Sequence, residues 1–160
     1  PEKVDKLIFH GTPYWEDPVQ GLLARVHRME FAKDGHHLME VWDGLKVSLE
    51  RSHSAGSLND DPWKLLHREA TWKFMAGERW HEAYEALARY NILARLPLIQ
   101  APTLVASTEQ DGLLRTVEPV AALLKRSRKH VGPGGSLLLT HEDPEALARL
   151  ILDFLADPGV

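Results

Sequence analysis

The stretch Leu96-Pro97-Leu98-Ile99-Gln100-Ala101-Pro102-Thr103-Leu104-Val105-Ala106-Ser107 decides the fold class. Each proline disfavours helix at the residue before it, so 96–102 reads as extended chain. Thr103-Leu104-Val105-Ala106-Ser107 then runs on as a fully apolar strand, the pattern of a parallel sheet covered on both faces. Toward the C-terminus, Val117, Val120, Ala121 and Leu124 lie on one side of a helix predicted over 117–126. A weak strand at 129–131 leads into Gly132-Pro133-Gly134-Gly135. Asp143-Pro144 announces a last helix that buries Leu147, Leu150, Ile151 and Phe154. Strand, helix, strand, helix in that order is a βαβ unit with a trailing helix, and it implies a parallel sheet.

Toward the N-terminus, Val4-Asp5-Lys6-Leu7-Ile8-Phe9-His10 is a short β-rich run stopped by Gly11-Thr12-Pro13. Four helices are expected between it and Leu96. The first carries Val19, Leu22, Leu23 and Val26 from Pro18 to about Lys33, where Asp34-Gly35 breaks it. A second presents Leu38, Val41, Trp42, Leu45 and Leu49 at helical spacing and gives way to a loop over Ser52-His53-Ser54-Ala55-Gly56-Ser57. A third opens at Asp61-Pro62 and ends at Gly77. A fourth holds Trp80, Ala83, Tyr84 and Leu87 and runs to about Leu93. The reading is an α/β fold of about three parallel strands with flanking helices, its core formed by 1–17 and 94–160, with a helical insertion over 18–93. So thin a sheet leaves the first strand with an open apolar edge, which invites a second chain or self-association into a dimer.

The chain has 160 residues, 44% hydrophobic and 26% charged, ordinary for a globular domain with its own core. A net charge of −4 argues against nucleic acid as a partner. The one basic cluster, Lys125, Arg126, Arg128 and Lys129, reads as the cationic end of the 117–126 helix. Cysteine is absent, so there is no disulfide framework, and the composition fits a cytoplasmic setting. No apolar run approaches the ~20 residues of a membrane span. The nine histidines are scattered without metal-ligand spacing, and no Gly-rich phosphate loop occurs, so neither a metal nor another cofactor is expected. Pro1 is compatible with a trimmed initiator Met and equally with a longer chain.

Three segments resemble the α/β-hydrolases. The run 96–105 is similar to the entry of that family's penultimate strand, and Glu142-Asp143-Pro144-Glu145-Ala146-Leu147-Ala148-Arg149-Leu150-Ile151-Leu152-Asp153-Phe154-Leu155 to its final helix. Pro1–Pro13 resembles the sixth strand, just before the family's helical cap, and 18–93 stands where the cap is inserted. The resemblance implies the C-terminal half of the fold: cap, last three strands and final helix. The parent it implies is an esterase/lipase-like or C–C hydrolase-like serine hydrolase, with a small apolar acyl or ester-type substrate.

Carried over by position, the resemblance makes Asp111 the triad acid, the carboxylate that fixes the tautomer of the catalytic histidine. Asp111-Gly112 is also an ordinary turn signal. Counting back from Glu142 puts Leu137 where the family has its histidine. His141 is the nearest imidazole, and serves as base only in a rebuilt turn; otherwise it is an exposed helix-entry residue. The nucleophile motif Gly-x-Ser-x-Gly is absent. Ser54 in His53-Ser54-Ala55-Gly56 lacks the first glycine. Trp15, Trp42, Trp72 and Trp80 fall in or beside the cap, either as its packing or as the lining of an apolar substrate pocket. Two functions follow: a portion of a serine hydrolase that is inactive alone, or a non-catalytic binding module that retained the cap pocket.

Overall fold

A computed structural model describes residues 3–14, 16, 26, 28–54, 62–134 and 143–159. Two compact units emerge: Pro1–Tyr14 and Asn91–Val160, with Ser57–Asn59, form one, and Trp15–Gly56 with Asp60–Tyr90 form the other.

The first unit is built on the three-stranded parallel sheet expected from the sequence. Its strands are β1 (Leu7–His10), β2 (Thr103–Thr108) and β3 (Ser127–Gly132), in the order β1-β2-β3. Leu7 stands opposite Thr103, and Thr103 opposite Ser127. Every residue of β2 is buried, the apolar Leu104, Val105 and Ala106 together with the hydroxyl-bearing Thr103, Ser107 and Thr108. Because side chains alternate along a strand, β2 feeds two cores. Val105 packs with Leu96, Val117, Val120, Ala121 and Leu124, joined by Phe9 of β1. Leu104 and Ala106 pack on the opposite face with Phe154, Ile8 and Leu150. β2 is thereby covered on both faces, by the helix Val117–Leu123 and by the last helix, Pro144–Ala156, while β3 is largely exposed.

That last helix starts as its sequence directs. Asp143 accepts from the Ala146 amide at 2.9 Å, and Pro144 occupies the first turn, where no intrahelical N–H is needed. Its far end is closed by a distant residue. Lys6 Nζ donates to the carbonyls of Phe154 (2.8 Å), Leu155 (3.0 Å) and Asp157, using oxygens that a helix C-terminus leaves without partners. Lys6 and Arg128 also lie over the Phe154 ring, at 5.3 and 5.0 Å from its centroid.

The second unit contains α1 (His36–Ser54), α2 (Pro62–Ala76) and α3 (Glu82–Arg89). In chain order α4 (Ile92–Arg95), α5 (Val117–Leu123) and α6 (Pro144–Ala156) then belong to the first unit. α1 buries Val41 and Leu49, and α2 buries Leu65, Leu66 and Ala70. Gly77, at φ 58°, ends α2 where the sequence predicts.

Several expectations need correction. The first helix does not reach Lys33: residues 28–34 are irregular, and the Ala32 amide is spent on His37 Nδ1 at 3.1 Å instead of a helix carbonyl. Residues 17–25 lie outside the described residues. Ser52–Ser54 are helical rather than loop, as the last turn of α1. The fourth helix stops at Arg89. Asn91, accepting from the Ala94 amide at 3.0 Å, starts the separate α4. The segment Leu96–Leu98 is a 3-10 turn, not extended. Finally, α5 ends at Leu123, so Arg128 and Lys129 belong to β3 and do not cap a helix. They pair with Asp157 (2.9 Å) and Glu118 (2.8 Å).

Candidate functional site at the ends of the strands

Parallel α/β sheets place their chemistry at the carboxyl ends of the strands, and in this unit those ends are tied together. Asp111 follows β2 and is 5% exposed. Its Oδ1 accepts the Leu113 amide at 2.8 Å, and its Oδ2 accepts the hydroxyl of Ser107, which is 2% exposed, at 2.8 Å. The Asp111 amide donates to Thr108 O and its carbonyl accepts from Leu114. The carboxylate is therefore held in one plane by two donors, with further lone pairs on each oxygen. The turn signal at Asp111-Gly112 and the buried acid are the same residue serving both purposes.

Neighbouring segments brace this turn. Thr116 Oγ1 lies 2.7 Å from both Thr12 O, just past β1, and Leu113 O. The Glu109 amide donates to Gly132 O at 3.1 Å, and Glu109 Oε2 accepts from the Gly134 amide at 3.2 Å, joining the ends of β2 and β3. Three buried polar atoms in the same region have no hydrogen-bond partner: His10 Nε2, Thr12 Oγ1 and Thr108 Oγ1.

His141, Leu137 and Trp15 lie outside the described residues. Trp42 is half-buried on α1. Trp72, on α2, is exposed, with the Arg68 guanidinium 5.6 Å from its ring. Trp80 is half-buried, between Lys73 Nζ at 4.0 Å and the edge of Tyr84 at 5.4 Å. Burial pushes the Lys73 ammonium below the usual lysine range. Sequence reasoning missed Ser107, His10 and Thr12. The signal available for Ser107 was a hydroxyl closing an otherwise apolar strand four residues before the acid. Among the described residues no group of three or more His, Asp or Glu gathers as metal ligands would, and no helix is long and apolar enough to cross a membrane.

No protein-family model matches the sequence, and no curated protein is similar enough in sequence to match it. Solved structures do match. An esterase from Exiguobacterium antarcticum superposes with a TM-score of 0.60 at 13% identity, over 96% of this chain and 57% of that one. A bromoperoxidase from Bacillus anthracis gives 0.60 at 14%, over 96% and 58%. MenH from S. aureus gives 0.58 at 19%, over 95% and 59%. The chain has a partial α/β-hydrolase fold. It spans between 57% and 59% of the length of these three structures. The two bonds to its carboxylate give Asp111 a defined geometry at the carboxyl end of β2 in this chain.

Proposed function

We propose that this chain is the acid-bearing portion of a serine hydrolase that cleaves small apolar esters or related acyl substrates, with Asp111 as the triad acid. The observation that supports it is the buried Asp111 carboxylate, held by Ser107 and Leu113 at the carboxyl end of β2. A carboxylate so fixed accepts the N–H of a histidine, sets its tautomer and stabilises the imidazolium formed when serine attacks the acyl carbon. The serine and the oxyanion hole come from polypeptide outside these 160 residues, since Gly-x-Ser-x-Gly does not occur among them. Residues 18–93 are the cap in this reading, and Trp15, Trp42, Trp72 and Trp80 line the apolar part of its pocket. The compact unit formed by Trp15–Gly56 and Asp60–Tyr90 supports that division.

The test is hydrolysis of p-nitrophenyl acetate and butyrate by the protein purified from its source cells. Asp111→Asn should lower kcat by about 10⁴-fold with KM little changed, as loss of the tautomer-fixing acid does. Full activity in that variant excludes Asp111 as the triad acid. The 160-residue chain by itself should cleave neither ester; cleavage abolished by Ser54→Ala would place the nucleophile within it. Leu137, at the position that the resemblance gives to the base, favours a second reading as a binding module without catalysis. If the source protein cleaves neither ester, Leu137→His in it separates the two, because gain of ester cleavage then marks a degenerate hydrolase and continued inactivity a binding module.

A further inference from the structure

In the second unit, two adjacent histidines hold the start of α1 by opposite chemistry. His36 Nδ1 lies 2.7 Å from Asp34 Oδ1, which also accepts the His36 amide at 3.2 Å. An imidazole nitrogen meets a carboxylate oxygen as a donor, and a second proton on the ring adds a charge to that contact. His37 does the reverse. Its Nδ1 accepts the Ala32 amide at 3.1 Å, and a ring nitrogen accepts only while it carries no proton. Ala32 O accepts the Gly35 amide at 3.1 Å, which closes the turn that brings the Ala32 N–H to the ring. His37 is half-buried, with its ring 5.5 Å from that of Phe31. The Ala32 bond therefore ties the irregular segment 28–34 back onto α1.

Three elements meet around this ring: α1, segment 28–34 and, through Phe31, the turn Gly77–Arg79 that follows α2. Their titratable groups are His36 and Glu40 on α1, and Arg28, Glu30, Lys33 and Asp34 on the segment. Lys73 ends α2, and Glu78 and Arg79 stand on the turn. Among the described residues none of these pairs with His37: Asp34 is taken by His36, Arg28 by Glu85 and Arg79 by Glu82. We infer that Asp34-Gly35-His36-His37 is a pH-sensitive clasp, which holds segment 28–34 on α1 while His37 is neutral and frees the Ala32 amide when His37 is protonated. The same acidification strengthens the contact of His36 with Asp34, so α1 keeps its start while the segment before it is released. Histidine changes charge between about pH 5 and 8. The held state excludes a proton from His37 Nδ1, so the clasp is closed at the upper end of that range and is lost as pH falls. This inference stands apart from the ester-cleaving reading and needs no catalysis.

Amide hydrogen exchange resolved to single residues, on the protein purified from its source cells, tests it. Protection factors, which already remove the intrinsic pH dependence of exchange, are compared near the two ends of that range, about pH 8 and about pH 5. Protection at Ala32 should fall about twofold to tenfold on acidification, the range that one neutral hydrogen bond supplies. Leu49, in the body of α1, should not change. His37→Asn, whose side-chain oxygen accepts at every pH, should protect Ala32 equally at both. His37→Ala should leave Ala32 poorly protected at both. Equal protection of Ala32 at the two pH values in the unsubstituted protein overturns the inference. So does a fall that persists in His37→Asn, because the response then belongs to another group.

Discussion

The hydroxyl of Ser107 donates to Oδ2 of Asp111 across 2.8 Å, and both side chains are buried. The bond links Ser107, the penultimate residue of β2, to the turn that follows the strand, so the carboxylate is positioned by the strand itself. Hydrogen bonds to a charged group contribute about 1.5–3 kcal/mol, and a buried carboxylate that loses one stays desolvated. Ser107→Ala should therefore destabilise the chain by about that amount in urea unfolding, and Ser107→Thr by less, because it keeps a hydroxyl.

Asp111 itself should tolerate Asn far better than Ala in the same measurement. Asparagine still accepts the Leu113 amide, and its NH₂ donates to Ser107 Oγ, which rotates to accept. Alanine leaves both donors stranded, at about 1–3 kcal/mol for each buried group. Equal losses for the two substitutions would mean that the turn does not depend on these bonds.

Lys6 reaches the carboxyl end of α6 from a position 148 residues earlier than Phe154. Lys6→Met keeps an unbranched apolar side chain and removes both the donors to three carbonyls and the charge over the Phe154 ring. The expected result is a loss of about 1–2 kcal/mol, the upper range for a cation at a partly buried helix C-terminus. Faster amide exchange should be confined to the last turn of α6.

Gly77 has φ 58°, and a Cβ there would lie 3.3 Å from Phe31 Cζ. Gly77→Ala meets both the left-handed backbone penalty, about 1–2 kcal/mol, and a contact that Phe31 must yield to. A clear fall in Tm is expected. Phe31 is 61% exposed and free to turn outward, so the backbone term should dominate.

At the start of α1, Asp34 Oδ1 accepts the His36 amide at 3.2 Å and His36 Nδ1 at 2.7 Å. These bonds, the backbone one first, hold its carboxyl below the ordinary 3.8. Their contribution is present above that value and is lost as pH falls through the lowered one. An NMR titration should find the Asp34 midpoint below 3.8. His36→Ala should raise it only partway, because the backbone bond survives.

Much of the first unit was legible in the sequence. An unbroken apolar run at 103–107 admits few fates other than a strand buried on both faces, and Asp143-Pro144 starts a helix by local chemistry alone. Asp111 was singled out just past that run by the resemblance to the α/β-hydrolases. The irregular 28–34 segment was not legible, because nothing in its apolar spacing reveals that Ala32 gives its amide to the His37 ring. Nor was the split of 80–93 into two helices, although Asn91 is a normal cap residue.

The sequence by itself determined the three strands and the middle of most helices, because periodicity and capping act over a few residues. Only the tertiary structure decided that Arg128 and Lys129 stand in a strand at the sheet edge opposite β1, paired with Asp157 and Glu118. It alone seats Ser107 against Asp111 and closes α6 with Lys6. Those relations depend on which segments become neighbours in the sheet, and hydrophobic pattern specifies the burial of a segment without specifying its neighbour.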